Sequence, residues 1–155
     1  MKSSVLFVCM GNICRSPAGE GILKEMVKHK PSLSIHVESC GIGGWHVGQQ
    51  PDRRMQEAIS GRGIELTMRA QQMQRGYFER FDYILAADEE VLNYLHQMAD
   101  KPEYKSKVSL ITAYSLAYKG KEVPDPYYGG QNSFELVLDM LEDACRGLLE
   151  HIEKS

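Results

Sequence analysis

The chain has 155 residues, enough for one domain with a substantial core, and a formal charge of −3 that offers nucleic acid no basic surface. No stretch reaches the length of a bilayer span, and the early apolar run Val5–Met10 is too short for a signal-peptide core. The four cysteines form no Cys-x-x-Cys pair and have no histidine-rich partner set, which speaks against zinc.

The first element is the apolar run Val5-Leu6-Phe7-Val8, a buried strand by its brevity and its β-branched and aromatic content. Ser16-Pro17 reads as a helix start, with Ser16 as N-cap and Pro17 where a missing N–H costs nothing. Between strand and helix runs Cys9-Met10-Gly11-Asn12-Ile13-Cys14-Arg15. Gly11 and Asn12 both tolerate positive φ. A tight loop feeding a helix N-terminus gathers backbone N–H groups into one hollow, and the helix dipole makes that hollow positive. A phosphate dianion fits there, and Arg15 adds a bidentate fork. Cys9 lies on the floor, where amides, dipole and cation all favour thiolate over thiol. The loop therefore reads as an oxyanion site with a nucleophile beneath it. Cys14, Cys40 and Cys145 are followed six positions on by Glu20, His46 and His151, so Cys9 alone has the arginine.

The helix from Pro17 to His29 places Ala18, Ile22, Leu23, Met26 and Val27 on one face. Gly19 and Gly21 weaken it and suit a close approach to sheet or loop. Ser34 to Ser39 alternates as a second strand, so the first βαβ unit is parallel. Ligands in such sheets bind beyond the carboxyl ends of strands, where Cys9 and the loop from Cys40 to Gln50 both fall. That glycine-rich loop holds the only tryptophan, Trp45, either a wall of the cleft or a pin to the core.

Asp52 caps a helix that carries Met55, Ala58 and Ile59 and stops at Ser60-Gly61. Ile64 to Met73 reads as loop. Phe81 to Ala87 is a third strand. Asp88 caps a helix with Val91, Leu92, Leu95 and Met98 inward, and Val108 to Ile111 is a fourth strand. Thr112 to Gln131 has no period, and loops of that length are usually functional. Asn132 with Glu135 resembles a capping arrangement before the clearest amphipathic helix, Phe134 to Ile152, which includes Cys145 on its apolar face. The sum is an α/β fold: residues 1–155 as one domain, a four-stranded parallel sheet with helices on both faces.

Val8-Cys9-Met10-Gly11-Asn12-Ile13-Cys14-Arg15-Ser16-Pro17, together with Asp125-Pro126-Tyr127-Tyr128 near the other end, resembles the two signatures of the low-molecular-weight protein tyrosine phosphatases. The resemblance implies a Rossmann-like βαβ scaffold and hydrolysis of phosphotyrosine and aryl phosphates through a cysteinyl-phosphate, without cofactor or metal. Cys9, Arg15 and Asp125 are then the catalytic residues. Asp125, held between two prolines, protonates the leaving oxygen; the bland alternative is an Asp-Pro turn. Met10, Gly11, Asn12, Ile13, Cys14 and Ser16 form the phosphate-binding loop, with Ser16 also bonding the sulfur and Asn12 holding the loop's shape. Trp45 lines the cleft mouth, and one of Tyr127 and Tyr128 stands opposite; the alternative for the tyrosines is ordinary loop aromatics.

By the same resemblance Cys14 protects Cys9 from over-oxidation through a disulfide, against a plain loop role. Expected ligands are phosphotyrosine proteins, aryl phosphates, phosphate, sulfate and vanadate, on a cytoplasmic monomer or weak dimer that touches neither nucleic acid nor membrane. Two departures stand out. Met68 occupies the place of a histidine that supports the loop asparagine, so that support is lost or replaced. Ala86-Ala87-Asp88 lacks a cysteine common in eukaryotic members, with Asp88 still expected at the active-site end of its strand. An arsenate reductase on the same scaffold needs two relay cysteines, which Cys40 and Cys145 supply poorly. A non-catalytic phospho-ligand module has no use for both Cys9 and Asp125.

Overall fold

A computed structural model describes residues 2–127 and 129–155, Gln131 by its backbone alone. Four strands, β1 (Lys2–Cys9), β2 (Ser34–Gly41), β3 (Tyr83–Ala86) and β4 (Val108–Leu110), form one parallel sheet in the order β2-β1-β3-β4. The helices are α1 (Arg15–Lys28), α2 (Arg53–Ser60), α3 (Tyr77–Arg80), α4 (Glu89–Met98), α5 (Pro102–Lys105) and α6 (Gln131–Lys154). A 3₁₀ turn, Ile111–Tyr114, continues β4.

Strand β1 is buried on both faces, so its apolar run is continuous and its side chains alternate between two cores. Val5, Phe7 and Cys9 meet Ile22 and Leu23 of α1 and Leu141, Ala144 and Leu148 of α6. Leu6 and Val8 meet Phe78 of α3 and Val91 and Leu95 of α4. From β1 the chain crosses to β2 on one side, and from β3 to β4 on the other. Crossovers of one hand running in opposite directions must cover opposite faces. The sheet order therefore reverses between β1 and β3, and a crevice opens beyond their carboxyl ends. Cys9 closes β1 and Asp88 follows β3, so both stand at that crevice.

Four expectations need correction or extension. Helix α1 begins at Arg15, with Cys14 at the N-cap position and no side-chain cap, so Ser16 is not the cap. Its hydroxyl is occupied elsewhere, as described below. The capping pair at Asn132 and Glu135 does not form, because α6 starts two residues earlier behind Gly130, and the Glu135 carboxylate reaches Arg62 at 2.8 Å instead. The single-turn helices α3 and α5 carry too few residues to show a period and were not expected. The fourth strand stops at Leu110, with Ile111 already in the 3₁₀ turn. By contrast, Asp52 and Asp88 both cap as read: Asp52 accepts from the Arg54 N–H and Asp88 from the Val91 N–H. The glycines of α1 do permit close approach. A Cβ at Gly19 would meet the Phe7 ring at 2.8 Å, and one at Gly21 would meet Leu66 at 2.6 Å.

Candidate active site

The segment after β1 turns back at Asn12, the one non-glycine residue with positive φ (59°) among the described residues. Gly11 does not share that conformation. An asparagine tolerates it because its short polar side chain bonds locally, and here all three bonds are present. The Asn12 amide donates to Ser16 Oγ at 2.7 Å and to Ser39 Oγ at 3.0 Å, and its Oδ1 accepts from the Gln71 N–H at 2.9 Å. Ser39 in turn donates to Glu20 Oε1 at 2.7 Å. This buried network fixes the loop from behind. The loop passes so near the end of β2 that a Cβ on Gly41 would meet Gly11 C at 2.8 Å and Asn12 N at 2.9 Å.

The Cys9 sulfur accepts from the Asn12 N–H at 3.3 Å and lies 2.9 Å from Ser16 Oγ. Because Ser16 Oγ receives the Asn12 amide, its own proton is free to point at sulfur or at the Cys40 carbonyl, 3.3 Å away. Arg15, on the first turn of α1, is 3 % exposed. Its Nη1 donates to Asp88 Oδ2 at 2.6 Å and to the Val123 carbonyl at 3.0 Å, while Nη2 lies 3.8 Å from Asp125 Oδ2. Burial works against the guanidinium charge, but the Cys9 sulfur and Asp88 outweigh it and push its pKa up.

Val123 anchors an overhanging segment: its N–H donates to the Ala87 carbonyl at 2.8 Å and its own carbonyl accepts Arg15. Two residues on, Asp125 presents a half-exposed carboxylate whose Oδ1 accepts the Tyr127 N–H at 3.0 Å. A cleft of about 260 Å³ results, lined by Cys9, Met10, Gly11, Ile13, Cys14, Arg15, Trp45, His46, Asp125 and Tyr127. It brings a thiol, a buried cation, an uncapped helix start and a carboxyl group around one anion-sized space.

The model of the family described as low molecular weight phosphotyrosine protein phosphatase matches residues 4–155. A putative low molecular weight protein-tyrosine-phosphatase of Synechocystis is 45% identical over 153 residues, covering 97% of this chain and 96% of the relative. The human low molecular weight phosphotyrosine protein phosphatase is 37% identical over 149 residues, 95% of this chain and 94% of the relative. A solved protein tyrosine phosphatase from Entamoeba histolytica, with Hepes in its active site, superposes with a TM-score of 0.90 at 36% identity, over 98% and 97% of the two chains. This chain belongs to that family.

Against the family pattern, Met68 provides no hydrogen bond to Asn12. Its thioether packs on the core, and the acceptor side of Asn12 is met by the Gln71 backbone three residues later. Asn12 and Ser16 are buried behind the cleft rather than lining it. Trp45 is 68 % exposed, which excludes a pin to the core. Tyr128 lies outside the described residues. Cys14 is buried at the cleft edge, and burial, then the Asp52 charge, hold its thiol well above the usual range. Cys40 and Cys145 sit in the two cores on opposite faces of the sheet and form no relay pair.

The sequence reading placed Asp88 at this end of its strand but did not find its bond to Arg15. It also missed His46, whose ring packs on Gly11 and whose Nδ1 lies 3.1 Å from Gln49 Oε1. The glycine-rich run around Trp45 was the signal available for His46. Nothing local marks Ser39, Glu20 and Gln71 as the loop's supports.

Proposed function

We propose that the protein hydrolyses phosphotyrosine and related aryl phosphate monoesters through a cysteinyl-phosphate, with Cys9 as nucleophile, Arg15 and the loop amides as anion clamp, and Asp125 as acid and base. The reading rests on one observation above all: the Cys9 sulfur, the Arg15 guanidinium and the Asp125 carboxylate border a single cleft although they come from three parts of the chain. In the first step the Cys9 thiolate attacks phosphorus, the P–O(aryl) bond breaks, and Asp125 gives its proton to the departing phenol oxygen. The backbone N–H groups from Met10 to Ser16 and the free edge of Arg15 hold the equatorial oxygens where charge spreads. In the second step Asp125, now carboxylate, takes a proton from water. The water attacks phosphorus, the S–P bond breaks, and phosphate leaves. Trp45 and Tyr127 flank the entering aromatic ring.

Cys14 belongs to the same reading as a resolving thiol. A Cys9 sulfenic acid condenses with it to a disulfide and water, and thiol reductant reverses the step. Phosphate, sulfate and vanadate are the expected small ligands. A working free thiol suits a reducing compartment, so the cytoplasm is the proposed location and a monomer or weak dimer the proposed state; no described helix is long and apolar enough to cross a membrane.

Turnover of 4-nitrophenyl phosphate and a phosphotyrosine peptide tests the reading. Cys9→Ser should abolish it, and Asp125→Ala should lower it by roughly 10²–10⁴-fold, the usual worth of a general acid. Vanadate binding without turnover in the unaltered protein would point to a binding module instead.

A further inference from the structure

Arg54, on the first turn of α2, links three segments around the site without lining the cleft. Its Nε and Nη2 each lie 3.3 Å from one oxygen of Asp52. The Asp52 N–H donates to the Ile13 carbonyl of the anion loop at 2.7 Å, and Asp52 Oδ1 caps the helix by accepting the Arg54 N–H at 2.8 Å. The other faces of the guanidinium meet two rings: Tyr127, 5.2 Å from centroid to the guanidinium carbon, and Phe134, at 5.0 Å. Phe134 is fully buried in α6, whereas Tyr127 belongs to the segment that carries Asp125 and donates its N–H to that carboxylate. One cation thus joins the anion loop, the start of the last helix and the acid-bearing segment.

Among its described residues from Val123 to Tyr127, that segment contains neither strand nor helix. Its Val123 end is pinned to Ala87, just past β3, and to Arg15, but the Asp125 carboxylate lies beyond that anchor. We infer that Arg54 is a positioning residue: by stacking on Tyr127 while gripping Asp52, it sets the distance of the Asp125 carboxyl from the phosphorus held over Cys9. The inference rests on Asp125 being the proton donor. It also explains why the residue is arginine. A planar guanidinium can stack on a ring and fork onto a carboxylate together, which an ammonium cannot.

A misplaced acid leaves a specific kinetic trace. Phenol leaves poorly without a proton, whereas 2,4-dinitrophenol leaves readily as its anion. General damage to the fold or to the anion loop slows both substrates alike. In Arg54→Met, the ratio of kcat/KM for 2,4-dinitrophenyl phosphate over phenyl phosphate should rise about tenfold, the rate equivalent of one lost cation–ring contact. Arg54→Lys should fall between Arg54→Met and the parent, and vanadate affinity should change by no more than about threefold in either variant. Asp125→Asn, measured beside them, keeps the two readings apart. If Asp125→Asn raises the ratio and both Arg54 variants slow the two substrates equally, the inference is overturned and the proposed mechanism stands. If Asp125→Asn leaves the ratio unchanged, the acid assignment fails and takes this inference with it.

Discussion

At the scale of single residues, Asp88 does two jobs with its two oxygens. Oδ1 caps α4 through the Val91 N–H and Oδ2 holds Arg15 at 2.6 Å. The two can be separated, because asparagine caps a helix as well as aspartate but brings no charge. Asp88→Asn should therefore keep α4 while loosening the buried guanidinium. Losing a charge-assisted hydrogen bond corresponds to roughly 10- to 100-fold, expected here in kcat/KM for an aryl phosphate. Asp88→Ala should show the same kinetic loss and in addition lose about 1 kcal/mol of stability with the cap. Equal urea midpoints for the two variants would contradict the division of labour. The thiols separate in a similar way. Burial pushes Cys14, Cys40 and Cys145 up, so none of them is readily alkylated from solution at neutral pH, which leaves reaction of Cys14 with an adjacent sulfenic acid open to it. One equivalent of iodoacetate at pH 7, followed by peptide mapping, should mark Cys9; a label found first on Cys14 would refute this.

At the scale of elements, legibility followed the length of the pattern. The run Val5–Val8 and the face Val137, Leu138, Leu141, Ala144, Leu148 and Ile152 were readable because each repeats one period against one core. Helices α3 and α5 are single turns, which have no period to read. The start of α6 was misread because Glu135 is drawn to Arg62, a partner 73 residues away that no local rule supplies. Arg62 also reaches Asp139 at 3.0 Å and pairs with Glu142, so three carboxylates of α6 close on one guanidinium. A second fixture of α6 lies at Gly147, where any Cβ would collide with the Tyr114 carbonyl of the 3₁₀ turn. Two effects compete in Gly147→Ala. Helix propensity favours alanine by about 1 kcal/mol. Overpacking against backbone costs about 1–3 kcal/mol, and backbone yields less readily than a side chain. We expect a net loss of up to about 2 kcal/mol in urea unfolding, whereas a gain would mean that α6 slides freely on the turn.

At the scale of the whole molecule, the sequence pointed to the Cys9 loop and to Asp125 because each sits in a compact local motif, Cys-x5-Arg before a helix and Asp between prolines. What closes the site around them is topology. Reversal of strand order between β1 and β3 brings Asp88 to Arg15, and the return of the chain after β4 lays Val123 and Asp125 over the loop; the joins of Arg15 to Asp88 and to Val123 span 73 and 108 residues and leave no local trace. The same holds for the rear support, where β2, the segment around Gln71 and α3 meet at Glu38. Its carboxylate lies 2.6 Å from His36 Nε2, 3.1 Å from Gln71 Nε2 and 3.1 Å from Arg80 Nη2, and Gln71 is the residue whose N–H fixes Asn12. Burial opposes the Glu38 charge, but the bonds from His36 and Gln71 and the charges of His36 and Arg80 outweigh it and hold its pKa below the usual glutamate value. The sign of the consequence follows. Near and below an unfolded pKa of about 4.3, the unfolded chain takes up a proton that the folded chain refuses. The stability Glu38 contributes is therefore complete above that value and disappears as pH falls through the lower folded value. The carboxylate is partly exposed, so the contribution is about 1 kcal/mol or less. Glu38→Gln should be less stable than the parent at pH 7 by that amount, and the gap should narrow through the acid range and vanish once both forms are neutral. Urea unfolding of the two proteins at pH 7, 5, 4 and 3 measures it, and a gap that stays constant with pH would show that Glu38 acts through shape rather than charge.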